Sequence, residues 1–82
     1  MSDPIYKMIG TRIRSVRKAR NITQKDFAMY LGVSQSTICN IEKGIYPVPV
    51  HVLTHMAKIL MVSFDCLLTE EDLNASTVFL DC

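Results

Sequence analysis

The stretch Thr23–Gly44, TQKDFAMYLGVSQSTICNIEKG, decides how this chain folds. Its first part carries the signals of a helix start. Thr23 suits an N-cap, and Asp26, three residues later, completes a looser form of the capping box. These signals predict a helix over residues 24–31. Gly32 ends that helix, because a tight turn needs a positive φ, which glycine adopts freely.

The second part of the stretch predicts another short helix. Ser34 suits its N-cap, and the helix is expected to end near Lys43, just before a glycine. Ala28, four residues before the turn glycine, is small enough to let the two helices cross closely. Ile38 and Ile41 anchor the second helix from beneath. This arrangement is typical of a helix-turn-helix, whose second helix presents its outer, N-terminal face to a major groove.

The residues before this pair predict a first helix that begins near Pro4 or Ile5 and runs to Arg20. Apolar residues recur there every three or four positions, which produces one apolar face. The residues of this face are Ile5, Met8 or Ile9, Ile13 and Val16. Asn21 follows as a terminator, since asparagine tolerates a positive φ better than most residues.

The residues after the pair predict two more helices, so that the expected fold class is all-α with five helices. A fourth helix starts near Pro49, because proline suits a first helical turn. The residues that it is expected to bury are Val50, Leu53, Met56, Ala57 and Leu60. Ser63 suits the cap of a short fifth helix through Leu67 and Leu68, and Thr69 the cap of one more turn.

The charges are divided unevenly along the chain. Residues 1–60 contain nine Lys and Arg and three acidic residues, a balance of +6, whereas residues 61–82 contain five acidic residues and no base, a balance of −5. A basic body indicates a polyanionic partner, and a solvated basic helix face is the alternative. We expect a helix-turn-helix domain over 5–69 and an acidic C-terminal tail over 70–82, with a dimer contact as its expected role.

The remaining composition argues against several other classes of protein. Three cysteines, Cys39, Cys66 and Cys82, make an odd number without metal spacing, which favours reduced thiols in the cytoplasm. We find no apolar run of about 18 residues and no signal peptide. His51 and His55 have zinc-ligand spacing, but the sequence places no third ligand, so surface histidines are expected. No nucleophile–base arrangement or Gly-rich phosphate loop stands out, and we expect no enzyme, no metal and no cofactor.

Taken together, these residues resemble one known family. The matching motifs are Ile9-Gly10-x-Arg12-Ile13-Arg14, Thr23-Gln24-x-x-Phe27-Ala28, Leu31-Gly32-Val33-Ser34-Gln35-Ser36-Thr37-Ile38, Ile41-Glu42-x-Gly44, Pro49, Met56-Ala57-Lys58 and Val62-Ser63-Phe64-Asp65-x-Leu67-Leu68. Over this span the chain resembles the lambda repressor/Cro family of helix-turn-helix domains, also called the xenobiotic-response-element type. The resemblance implies a compact five-helix, lambda-repressor-like DNA-binding domain that acts as a dimer on a near-palindromic operator.

The resemblance also implies roles for individual residues. The residues whose family counterparts face base edges are Gln35, Ser36 and Asn40, with Thr37 close to them. Amide side chains suit this role because they bond adenine bidentately, although ordinary exposed polar residues are the alternative. The residues expected at DNA phosphates are Gln24, Lys25, Lys43, Arg12 and Arg17. Four cations of the first helix have two alternative roles, long-range attraction of DNA or direct phosphate contact: Arg12, Arg14, Lys18 and Arg20. Arg17 and Glu42 match a family pair that links the first and third helices, so we expect a structural ion pair.

Two departures from the family pattern are visible. Met61 stands where the turn after the fourth helix usually has glycine, so either Met61 adopts a left-handed conformation or the helix ends differently. The loop Ile45–Val48 replaces the Lys or Arg that often follow Gly44. Its apolar residues either form a surface for a protein partner or pack beneath the loop.

These observations predict a sequence-specific transcriptional regulator, a repressor, that binds double-stranded DNA as a homodimer with helix 34–43 in the major groove. The alternative is a protein-interaction module, antitoxin-like or a co-regulator, in which DNA binding is secondary. Its protein partner would bind through the Ile45–Val48 loop or the C-terminal tail.

Overall fold

The computed structural model of the protein describes residues 4–68, which form five helices and no strand. The helices are α1 (Pro4–Ala19), α2 (Gln24–Leu31), α3 (Gln35–Glu42), α4 (Val50–Leu60) and α5 (Phe64–Leu68). The all-α, five-helix prediction is therefore confirmed. The predictions for Thr69 and for the tail, including Val78–Leu80, lie outside the described residues.

The caps that separate α2 from its neighbours follow the local sequence. Thr23 is extended, with φ −76° and ψ 160°, and its hydroxyl accepts a hydrogen bond from the amide of Asp26. Ser34 has the same geometry, and its hydroxyl accepts from the amide of Thr37 at 3.1 Å. Gly32 lies between the two helices with φ 73°, a conformation that favours a residue without a Cβ. Both helix starts and the turn are as predicted.

Two residues other than glycine adopt the left-handed conformation, and both terminate a helix. Asn21 has φ 60° just beyond α1, as expected for a terminator. Met61 has φ 59° and ψ 44° and ends α4, where the next amide, that of Val62, donates to the carbonyl of Ala57 at 3.0 Å. Met61 therefore takes the left-handed conformation, the first of the two alternatives for this departure.

One hydrophobic core lies at the centre of the described residues. It is built from all of α1 to α5 and consists of Ile9, Ile13, Val16, Phe27, Ala28, Ile38, Ile41, Leu53, Met56, Ala57, Leu60 and Leu67. The prediction that Val50 is buried was wrong. It is 70% exposed, because it lies in the first turn of α4 at the edge of the domain; Ile5, in the first turn of α1, is likewise 51% exposed.

Two glycines allow α1 to pack tightly on the end of α3. A Cβ at Gly10 would lie 2.2 Å from the carbonyl oxygen of Ile41 and 2.7 Å from that of Glu42. A Cβ at Gly44 would lie 2.5 Å from the Cα of Lys7. With no side chain between the two backbones, α1 lies directly against the C-terminal end of α3.

Among the cysteines of the described residues, Cys39 is a free, half-buried thiol, as expected for it.

Candidate nucleic-acid interface

The exposed side of α3 carries the polar residues predicted to read bases. Gln35, Ser36 and Asn40 are all exposed. On the opposite side of the helix, Ile38 is fully buried and Ile41 is 2% exposed. Since residues four apart lie one above the other on a helix, Ser36 and Asn40 share one outward face.

Thr37, also predicted near the bases, is held by its own cap. It is half-buried, and its hydroxyl lies 2.8 Å from the hydroxyl of Ser34. This contact turns the Thr37 hydroxyl toward the start of α3. The outward face of α3 is therefore formed chiefly by the two amide side chains and Ser36.

Arg17 and Glu42 form the predicted kind of ion pair between α1 and α3. Arg17 Nε donates to Glu42 Oε2 at 2.6 Å, and Nη2 donates to Oε1 at 3.2 Å. The two side chains are only 7% and 2% exposed. A bidentate arginine–carboxylate pair fixes orientation as well as distance, so it sets how α3 lies on α1.

Gln24 connects the start of α2 to this ion pair. Its Nε2 donates to Glu42 Oε1 at 3.0 Å, while Arg17 Nη1 donates to the carbonyl of Ile22 at 2.6 Å. The loop before α2, the first residue of α2 and the last residue of α3 are thus held by one polar network. The network holds the start of α2 against the C-terminal end of α3.

The structure corrects the role predicted for Arg12. This side chain is fully buried, and its Nε donates to the carbonyl of Cys66 in α5. It cannot reach a DNA phosphate, because it is enclosed by the core. Arg17 is buried as well, at 5% exposure, and its guanidinium is engaged with Glu42 and Ile22. Of the five predicted phosphate ligands, Lys25 and Lys43 are exposed and Gln24 is half-buried.

A cleft beside this interface brings together Arg14 and Lys43, for which the sequence had suggested phosphate contact, and Lys7, for which it had suggested no role. It has a volume of about 470 Å³. Its lining residues are Lys7, Thr11, Arg14, Gln24, Cys39, Glu42 and Lys43. The available signal was the spacing of Lys7, Thr11 and Arg14, which lie at i, i+4 and i+7 and so share one face of α1.

The loop after α3 has a mixed character. Ile45 is 62% exposed and Tyr46 is 52% exposed, whereas Val48 packs against the core. The amides of Ile45 and Tyr46 both donate to the carbonyl of Asn40, at 3.0 and 3.3 Å. Val48 therefore follows the alternative of packing beneath the loop, whereas Ile45 and Tyr46 stay exposed with their amides directed to α3.

His51 and His55 are both exposed on α4. Within residues 4–68, no three His, Cys, Asp or Glu side chains are grouped to hold a metal ion. No helix of the described chain is long and apolar enough to cross a membrane.

Comparison with known proteins agrees with this architecture. A helix-turn-helix family model, HTH_3, matches residues 13–65. The HTH-type transcriptional regulator MJ0272 of Methanocaldococcus jannaschii, itself uncharacterized, is 36% identical over 61 residues, which cover 74% of this chain and 92% of that protein. The uncharacterized HTH-type transcriptional regulator YazB of Bacillus subtilis is 38% identical over 56 residues, 68% of this chain and 81% of that one.

Among solved structures, the master regulator for biofilm formation SinR in complex with DNA superposes with a TM-score of 0.70 and 32% identity, over 76% of this chain and all of that one. The chain belongs to the helix-turn-helix family whose model it matches, the lambda repressor/Cro-like group. It is accordingly a DNA-binding regulator of transcription.

Proposed function

We propose that the protein is a sequence-specific transcriptional repressor in the cytoplasm that binds operator DNA as a homodimer, with α3 in the major groove. The observation that carries the proposal is the outward face of α3. Gln35, Ser36 and Asn40 are exposed there, on a helix whose inner side is anchored by buried isoleucines. An exposed polar face on a rigidly held helix is what direct reading of base edges requires.

The network around Glu42 supports this proposal. It holds the start of α2 beside α3 and leaves the exposed Lys25 and Lys43 at its margins. Phosphate contacts from such residues position a protein on the duplex, while base contacts select the sequence. We propose Gln24, Lys25 and Lys43 as phosphate ligands, and Gln35, Ser36 and Asn40 as base ligands, with Thr37 in a secondary role.

We propose a homodimer because operators of this class of protein contain two half-sites. In this class of protein, two recognition helices enter successive major grooves, so the half-sites lie about 34 Å apart. We propose that residues 5–69 form the DNA-binding domain and that the tail, 70–82, contributes to the dimer. The proposed protein has no enzymatic activity and uses no cofactor.

A second candidate function is favoured by one observation. Ile45 and Tyr46 expose apolar side chains next to the recognition helix. Such a surface suits a protein partner, and in that case DNA binding would be secondary. Salt separates the two functions. DNA binding weakens steeply as salt rises, because phosphates that bind protein release counterions, whereas an apolar protein contact does not.

The proposed function is tested by replacing the two amide side chains. Gln35→Ala and Asn40→Ala are each compared with the parent for binding to an operator duplex and to a random duplex of equal length. Each variant should lose about 1–3 kcal/mol of preference for the operator, with little change on random DNA.

The matched control for this experiment is Lys25→Ala. It removes an exposed cation that we place at a phosphate, so it should weaken binding to both duplexes by the same factor. Variants of Gln35 and Asn40 that still select the operator as well as the parent would show that these residues do not read bases.

A further inference from the structure

The cleft beside α3 has an unusual concentration of positive charge. Lys7 and Arg14 reach it from α1, and Lys43 reaches it from the end of α3. All three are exposed, and within residues 4–68 neither Lys7 nor Arg14 forms an ion pair. Thr11 lies between Lys7 and Arg14 on the same face of α1, and it also lines the cleft.

The packing of α1 on α3 creates this cleft. The backbone of Lys7 rests on Gly44, and Gly10 rests on the carbonyls of Ile41 and Glu42. These close backbone contacts fix where α1 lies on α3 in this structure. The packing of the two helices therefore brings Lys7 and Arg14 of α1 and Lys43 of α3 to the same cleft.

The one acidic residue in the cleft does not neutralise these cations. Both carboxylate oxygens of Glu42 are already engaged, Oε2 by Arg17 and Oε1 by Arg17 and Gln24. The charge of Glu42 is matched by the guanidinium of Arg17, which is outside the cleft lining. The positive charges of Lys7, Arg14 and Lys43 are therefore not balanced within the cleft, which suits it to bind an anion.

The position of the cleft identifies the anion. Lys43 lies seven residues after Ser36 and three after Asn40, so it shares the outward face of α3 while also lining the cleft. A DNA strand that lies along the outward face of α3 would therefore continue past Lys43 to Arg14 and Lys7. No aromatic residue lines the cleft to stack a base or nucleoside.

We propose that the cleft binds the sugar-phosphate backbone of the DNA flanking each half-site, with Lys7 and Arg14 as phosphate ligands and Thr11 as a hydrogen-bond donor. This inference rests on the proposed function and extends it. The contact carries no sequence preference. It lengthens the duplex that the protein needs, because the phosphates involved lie beyond the base pairs that α3 reads.

The test combines charge removal with shortening of the duplex. The full-length chain and its Lys7→Gln, Arg14→Gln and double variants are titrated against an operator duplex at several salt concentrations, with long flanks and with trimmed flanks. Because the homodimer contains each residue twice, each single variant should lower the magnitude of the slope of log K against log salt by about 1.8, and the double variant by about twice that amount. Trimming the flanks should weaken the parent but not the double variant.

The matched control is Lys58→Gln, which removes an exposed cation from α4, outside the cleft. It should leave the slope and the effect of trimming close to those of the parent. Circular dichroism of each variant verifies the fold. A titration with inorganic phosphate accompanies the DNA measurements. The inference predicts that free phosphate binds far more weakly than the duplex.

The outcomes separate this inference from the proposed function. If the parent binds DNA with a steep salt dependence but the double variant keeps the parent's slope and its response to trimming, the cleft does not bind the flanking backbone, while the proposed function stands. Tight binding of inorganic phosphate to the cleft without an effect on the DNA slope would also overturn the inference. A parent that binds no DNA at low salt would overturn both.

Discussion

Glu42 connects three helices at the interface. It accepts hydrogen bonds from Arg17 in α1 and from Gln24 at the start of α2, and it lies at the end of α3. The pair with Arg17 could be predicted from the resemblance. Its burial and its link to Gln24 could not, because they depend on how three helices pack.

Removing one partner of this ion pair should be costly. Glu42→Ala leaves the Arg17 guanidinium buried without its carboxylate, and the free energy of unfolding should fall by roughly 3–5 kcal/mol. Urea denaturation measures the change. The double variant Glu42→Leu with Arg17→Met should be more stable than Glu42→Ala, because no charge is left buried. Equal losses in both would show that the pair does not act through its charge.

Gly10 has a different role, since it allows two backbones to meet. In Gly10→Ala the new Cβ would lie 2.2 Å from the carbonyl oxygen of Ile41, so the two helices must move apart. We expect a loss of about 1–3 kcal/mol in the free energy of unfolding. Ser15→Ala, at an exposed position of α1, is the control and should change stability little. A Gly10→Ala variant as stable as this control would contradict the close packing of α1 on α3.

At the scale of elements, the helix boundaries depend on local chemistry, which is why most of them could be predicted. Thr23, Gly32 and Ser34 act through hydrogen bonds and backbone angles within a few residues. Arg12 shows the limit of this reasoning. Its charge suggested a phosphate contact, but it is buried against α5, where its partner Cys66 is 54 residues away along the chain. Local patterns carry no information about a contact over that separation.

The end of α4 offers a prediction of increased stability. Met61 is left-handed, with φ 59°, and is 74% exposed, so its side chain gains little from packing. Met61→Gly should relieve a backbone cost of about 1–2 kcal/mol, offset in part by the greater freedom of glycine in the unfolded chain. Thermal denaturation should show a higher Tm.

The control for this substitution lies in α2. Met29 is 66% exposed but helical, and Met29→Gly should lower stability by about 1 kcal/mol or slightly less. A Met61→Gly variant that loses as much stability as Met29→Gly would show that the left-handed turn imposes no strain.

At the scale of the whole molecule, the interface is a surface assembled from three helices. α3 supplies the polar face, the start of α2 lies beside it, and α1 supplies the cations of the adjoining cleft. The polar face could be predicted, because its residues are contiguous in sequence. The cleft was missed because its members come from α1 and α3, and their convergence depends on the packing at Gly10 and Gly44.

The proposed homodimer predicts the composition of the complex. Two chains should bind a duplex with two half-sites, and one chain should bind a duplex with a single half-site more weakly. Sedimentation of the complexes at equal protein concentration measures both masses. Complexes with one chain on each duplex, at equal affinity, would contradict a dimeric mode of binding.

Selection of bound sequences from a random duplex library tests DNA binding and base reading by α3 in a single experiment. We expect enrichment of one inverted repeat, whose half-sites are centred about 34 Å apart along the duplex. Failure to enrich any sequence, at a salt concentration low enough for phosphate contacts to hold, would contradict it.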